Sequence, residues 1–244
     1  MKNPQIPWLR VFVEGVVIVG SILLAFGIDA AWEGRQERVE EQAILAGLLL
    51  EFETHRGQLE RRAIRSDTLV AGLVLLLEVS DDPAMSPPID ALDRALLAAR
   101  YASTWDPGSG ERDALVSSGR LQLIRRVELR AALSGWGAVV DEVRDGETEM
   151  RNFVRESIIP HVASKGGPLG RTTAINREWP APLTPVPEAE ASYRDLFADP
   201  VFRALVQHKL TWQLNAGDEY AAAREVAGQI LALVEAELGG AGVP

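Results

Sequence analysis

Hydrophobic residues crowd the first part of the chain and then thin into a helical period. From Val11 to Trp32 the sequence reads VFVEGVVIVGSILLAFGIDAAW, and Gly15 to Ile28 are fourteen consecutive residues without a charge. As a helix, the 22-residue segment rises roughly 33 Å, close to one bilayer core. Its two acids, Glu14 and Asp29, lie near the ends, and Trp8 and Trp32 flank it as interfacial aromatic anchors do. This pattern predicts one transmembrane helix over 11–32 behind a short tail at 1–10. A cleaved signal peptide and a soluble core helix are the competing readings. Ala25-Phe26-Gly27 loosely fits a small-x-small cleavage site, but Glu14 comes early in an apolar run longer than a usual signal core. The charged run that follows fits a membrane better than a core helix.

Beyond Trp32, Leu45, Leu48, Leu49, Phe52, Leu59, Ala63, Val70 and Leu73 recur at three- and four-residue steps. They predict an amphipathic helix, continuous with the membrane helix or broken near Gly34, with no proline between Glu33 and Ser80. Asp81-Asp82-Pro83 and Pro87-Pro88 mark a loop. Asp90 to Tyr101 and Glu111 to Ser118 read as short helices separated by Trp105-Asp106-Pro107-Gly108-Ser109-Gly110. Gly119 is expected to stop the second in a left-handed conformation, with the serines before it as caps. Leu121 to Arg125 begins the next element. A long helix from Val127 to about Ser164 shows Leu129, Leu133, Trp136, Val140, Val143, Met150, Phe153 and Ile158 on one face, and Pro160 is expected to kink or end it. Residues 165–190 are rich in proline and glycine and read as a loop. Asp199 is the expected N-cap of a last helix from Pro200 to about Leu238, stopped by Gly239-Gly240. The prediction is an all-α fold: the membrane helix, a stalk and helical bundle over 33–164, and a C-terminal segment over 191–244 completing a long-helix antiparallel bundle.

Composition narrows the function classes. The 244 residues are 47% hydrophobic, which is enough to bury a core, and carry a net charge of −10 with a pI near 4.9. A basic nucleic-acid footprint is therefore not expected. The absence of cysteine excludes disulfides, Cys-ligated zinc, iron–sulfur clusters and a thiol nucleophile. Lys2 and Arg10 with no acid in the leading tail favour a cytoplasmic N-terminus, which would put the large domain in the periplasm of a Gram-negative inner membrane.

Two stretches carry a resemblance. Glu14-Gly15-Val16-Val17-Ile18-Val19-Gly20-Ser21-Ile22-Leu23-Leu24-Ala25-Phe26, with Ile28 and Trp32-Glu33-Gly34-Arg35, is one. Leu115-Val116-Ser117-Ser118-Gly119-Arg120-Leu121-Gln122-Leu123-Ile124, followed by Leu129-Arg130-Ala131-Ala132-Leu133, is the other. Together they resemble a bacterial domain family of unknown function, built as a "GE-apolar-G-I-L-A" membrane helix and a central "SSG-x-L-x-L-I" element. Asp29-Ala30-Ala31 departs from the Asn-rich step of that pattern. The resemblance implies a single-pass anchor and a helical extramembrane domain, without an activity or ligand.

Candidate chemistry is sparse. His55, His161 and His208 lie on different elements without metal-ligand spacing, and the glycine-rich Asp106–Gly110 lacks the Gly-Lys-Ser/Thr of a phosphate loop. No cofactor or metal motif is present. Glu14, Gly20, Ser21, Ala25 and Gly27 are the expected membrane-helix packing positions, since small residues permit close approach and an intramembrane acid seeks a partner. Arg10, four residues before Glu14, is the nearest candidate for that partner. Trp105, Trp136 and Trp212 are expected as core or partner-contact anchors. The expected function is a non-catalytic accessory subunit that packs through lipid and integral membrane subunits against a larger complex, with a photosynthetic or respiratory assembly as the guess and self-association open. A membrane-tethered ligand-binding sensor or regulator is the alternative.

Overall fold

The computed structural model describes residues 8–108, 110–165 and 189–240, with side chains from residue 12 in the first stretch and from 193 in the last. Among these residues the chain is helical without a strand. Helix α1 spans Trp8–Asp81, α2 Ile89–Arg100, α3 Glu111–Ser117, α4 Val127–Phe153, α5 Ile159–Ser164, α6 Ala189–Phe197 and α7 Pro200–Gly240. A 3-10 turn at Arg120–Leu123 follows α3, and a π turn at Val154–Ile158 joins α4 to α5.

The apolar N-terminal segment and the amphipathic helix are one unbroken helix, so Gly34 is no break. Residues 12–32 of α1 are exposed throughout, and burial begins at Glu41. From there α1 is buried mainly in steps of three and four, at 41, 45, 48, 52, 55, 59, then 66, 69, 73, 76 and 79, with Ile44 buried beside Leu45. Arg62, half-buried, fills the missing step. Leu69 therefore takes the core position that the apolar pattern assigned to Val70. Helix α7 repeats the alternation from Phe202 to Val234, and α4 from Leu129 to Met150. Such steps are the seam of helices packed at a shallow angle, side chain into socket.

Helix directions follow from end contacts. Asp81, at the end of α1, accepts from Arg203 near the start of α7 at 2.6 and 3.0 Å. Arg126, at the head of α4, meets Glu237 at the tail of α7 at 3.5 Å. Helix α7 thus runs antiparallel to α1 and α4. The connection from α1 back to α4 also lies along α1: Tyr101 beside Arg65, Trp105 beside Gln58, Arg112 beside Glu51, and Arg125 beside Glu41. Two apolar clusters result. One surrounds Phe52, Trp105, Trp136 and Ile230; the other surrounds Leu73, Leu96, Ile158 and Phe202.

Several local expectations are met and several are corrected. Gly119 adopts φ +70°, while Ser117 and Ser118 donate to carbonyls three residues back. The segment after it is a separate 3-10 turn, not the start of α4. Asp199 caps α7, accepting the Val201 N–H at 2.9 Å. Lys165 and that bond hold the Asp199 carboxyl at about 2. Pro160 neither ends nor interrupts the long helix. Proline cannot donate to the carbonyl four residues back, and the π turn before it relaxes that requirement. The turn's extra residue moves the buried positions from the 157 and 161 of a strict alternation to Ile158 and Val162. Helix α6 was not anticipated; the expected loop at 165–190 lies, apart from Lys165 and residues 189–190, outside the described residues.

Helix α2 lies close on α1 because Gly72 has no side chain: a Cβ there would sit 2.9 Å from Ala98 Cβ and 3.3 Å from Ala95 Cα. Gly72→Val should destabilise the domain by about 1–3 kcal/mol through overpacking. Thermal denaturation should show a Tm lower by several degrees; an unchanged Tm would mean that α2 does not pack here.

Candidate functional site

The helical seams carry polar side chains at their middle, where the two apolar clusters meet. Glu147 of α4 is fully buried. Its carboxylate accepts from Tyr220 Oη of α7 at 2.6 Å, from Arg62 Nη1 of α1 at 3.3 Å, and from the Trp105 backbone N–H. Arg62 also donates to Ser103 Oγ at 3.0 Å and to the Thr104 carbonyl. Burial and the bond to Glu147 push the Tyr220 hydroxyl pKa up. One turn further along α1, Ser66 Oγ donates to the Gln213 carbonyl at 3.1 Å and accepts from Gln213 Nε2 at 2.9 Å. Lys209 is also fully buried, with Nζ 2.8 Å from Gln213 Oε1 and 2.7 Å from Met150 Sδ. No carboxylate pairs with it among the described residues, and burial lowers its pKa to about 7.

Glu219 sits beside this layer. Its Oε2 is buried without a hydrogen-bond partner, lying where a Cβ on Gly146 would be 2.6 Å away. Burial, then the nearby Glu142 and Glu147, raises its pKa to about 7. The cavity against the layer is about 10 Å³, at most room for a single water. Three donors make the Glu147 carboxylate a structural junction.

A second polar centre opens to solvent. His55 of α1 is only 4% exposed, yet its Nδ1 has no hydrogen-bond partner. The ring stacks on Trp136 at 5.7 Å and 10°, with the Phe52 and Trp105 rings edge-on. Burial lowers the His55 pKa, against an opposing pull from Asp113, and so favours the neutral imidazole. The cleft beside it measures about 240 Å³ and is walled by α1, α3 and α4. Glu51 accepts the Arg112 N–H at 2.9 Å, and burial raises its pKa. Arg112 Nη1 meets Asp113 at 2.6 Å, and its Nε donates to the Leu133 carbonyl at 3.0 Å.

The sequence-expected residues fall into three groups. Glu14, Gly20, Ser21, Ala25, Gly27 and Trp32 lie on the exposed part of α1. A Cβ on Gly20 or Gly27 would meet nothing within 4 Å, and Ser21 Oγ donates back to Val17 O at 2.8 Å. The Trp8 and Arg10 side chains are outside the described residues. Trp105 and Trp136, each 2% exposed, lie in the core, one of the two places expected for them. Trp212 is half-buried on α7, its indole N–H donating to His208 Nε2 at 3.0 Å. The histidines stay apart, since His161 pairs with Asp199 while His208 packs on Phe153. Among the described residues no cluster of three or more side chains is placed to hold a metal ion.

Opposite pH effects follow from the layer. Glu219 binds its proton more tightly folded than unfolded, so it makes stability fall as pH rises from about 4.5 to about 7. Lys209 binds its proton less tightly folded, so it makes stability rise from about pH 7 to about 10.5. Denaturant titration across pH should show Glu219→Gln removing the first slope and Lys209→Met removing the second. Unchanged slopes would exclude these side chains as the titrating groups.

No protein family, curated protein or solved structure matches the chain.

Proposed function

We propose that this chain is a single-pass membrane protein. Its helical domain, an antiparallel bundle, would be held just outside the bilayer and work by binding, as a non-catalytic accessory subunit of a larger membrane assembly. The observation that carries the reading is the division of α1. Apolar side chains from Phe12 to Trp32 are exposed along the helix, Val17 at 61% and Phe26 at 67% among them. None of the 18-residue window that is apolar enough to cross a membrane is buried. Water would penalise that surface by roughly 25 cal/mol per Å², whereas lipid or neighbouring membrane helices would not. The same helix is packed from Glu41 onward, about 14 Å along its axis from Trp32. Gly20, Ser21, Ala25 and Gly27 leave its membrane part open to close approach by another helix.

Glu147 is saturated and enclosed, and the described residues converge on no metal cluster. Residues of the charged flank, Glu40 and Glu41, pair with Arg120 and Arg125, so the domain's near end is fastened directly to the helix that would leave the membrane.

Membrane fractionation of the tagged chain tests the anchor. The expected result is retention through alkaline carbonate and release by detergent, with a chain lacking residues 1–32 recovered in the soluble fraction. Extraction by carbonate would overturn it. Mass spectrometry of mild-detergent eluates tests the accessory role. A stoichiometric set of integral membrane proteins is expected, and a chain that elutes alone would sink that role.

A further inference from the structure

We propose that the outward face of α1 is a pairing surface for a second copy of this chain. The inference deepens the reading of α1 as a membrane anchor and rests on it. Opposite its buried seam, α1 carries a second apolar line. Val39, Leu50 and Ile64 stand on it, 66%, 66% and 62% exposed, with Ala43, Ala46 and Gly57 between them. Thr54 and Thr68 lie on the same line. Their hydroxyls donate to the carbonyls of Leu50 and Ile64, four residues back, at 2.8 and 3.1 Å. The helix itself thus satisfies the polar atoms, and the line stays apolar. By contrast, the outward face of α4 carries Asp141, Glu142, Asp145 and Glu149, as a solvated face does. At about 100° per residue the line of α1 continues into the apolar segment as Ser21, Ala25, Ile28 and Trp32. No break in the helix separates the two parts.

Direction, charge and size fit a second copy. Two copies anchored in one membrane present α1 in parallel, so like residues meet at the same level. Glu53, Glu60 and Asp67, seven apart, edge the line on one side, and Arg61 and Arg65 edge it on the other. In a parallel two-fold pair, each edge of one helix meets the opposite edge of its partner, so acid meets base on both sides. Among the described residues Glu53, Glu60, Asp67 and Arg61 have no ion-pair partner, while Arg65 donates to Tyr101 Oη at 2.9 Å. From Val39 to Ala71 the line covers roughly 48 Å of a helix about 10 Å across, which offers about 500 Å². The membrane part from Phe12 to Trp32 adds roughly 300 Å². The whole approaches the roughly 800 Å² per partner of a standard interface.

The chain has no cysteine, so single introduced cysteines report the pairing. In native membrane vesicles, oxidation of Leu50→Cys or Ile64→Cys should give a cross-linked dimer of the chain. Leu214→Cys, exposed on α7, should give none. A disulfide needs Cα atoms within about 7 Å, which a direct match of like positions provides. In mild detergent the unaltered chain should sediment with two copies per particle. Leu50→Arg with Ile64→Arg, and separately Glu60→Lys with Asp67→Lys, should each raise the dissociation constant of the pair at least about tenfold. All four positions are exposed, and circular dichroism checks that the variants keep their helix content. A carbonate-resistant chain with one copy per particle and no cross-link at either position would overturn the pairing and leave the anchor standing. Carbonate extraction would remove the anchor and the pairing with it. Cross-linking of Leu50→Cys to a different protein, equal cross-linking of Leu214→Cys, or undiminished pairing in the folded double variants would also overturn the proposal.

Discussion

The Glu147 carboxylate is the point at which three parts of the chain must agree. It lies fully buried on α4 and draws one donor from α1, one from α7 and one from the backbone of the returning segment at Trp105. A carboxylate in such a place costs several kcal/mol unless it is paired and hydrogen-bonded on all sides. The surrounding seams are permissive by comparison, because alternating steps of three and four repeat every seven residues. A slip of α4 by seven would leave Arg62 and Tyr220 facing Val140 or Val154. A slip of α7 by seven would put Gln213 or Ala227 where Tyr220 now donates. Apolar packing tolerates such slips far better than Arg62 and Glu147 do. The polar layer therefore sets the register, and the leucines supply the burial.

The layer also explains why the core is divided. Above it, the cluster around Phe52, Trp105 and Trp136 packs rings against leucines; below it, the cluster around Leu73, Leu96 and Ile158 carries its own rings, Tyr193, Phe197 and Phe202, and is joined by α2. Two devices keep both clusters continuous with the same three helices. Gly72 admits α2 against α1, and the π turn restores the apolar face of α4 before Pro160. Only the π turn departs from regular helix, but both sit in the lower half, where a fourth helix joins the other three.

Much of this architecture was legible in the sequence, and the misses have physical causes. Helix boundaries came from punctuation: Pro83 and Pro87, Gly119, and Asp199-Pro200 all act where expected. The apolar seams were legible as far as their residues are apolar. The apolar pattern stops at polar residues, so it leaves His55, Arg62, Ser66, Glu147, Lys209 and Gln213 outside the seams, although they continue the same three-and-four alternation. That continuation was the available signal: a polar residue on an apolar beat is buried and must find partners. Val70 was taken for Leu69 because both are apolar and adjacent, and only the phase of the full seam separates them. Pro160 was read by its usual effect, which a π turn can absorb without any mark in the sequence. The His55 cleft was illegible for another reason. Its walls come from α1, α3 and α4, and no spacing along the chain brings Glu51, Asp113 and Trp136 together.

The position of that cleft on α1 connects it to the rest of the molecule. His55 lies one seven-residue repeat before Arg62, so the cleft and the Glu147 junction are adjacent along one face of one helix. Glu51 and His55 are also part of the helix that carries the apolar segment ending at Trp32, with no proline, π turn or gap between. A helix without a hinge moves as a body. The Glu147 junction pins α1 to α4 and α7 on one side of the cleft, and the Glu40–Arg120 and Glu41–Arg125 pairs fasten it on the other. The same continuity fastens the domain to its proposed anchor without a hinge.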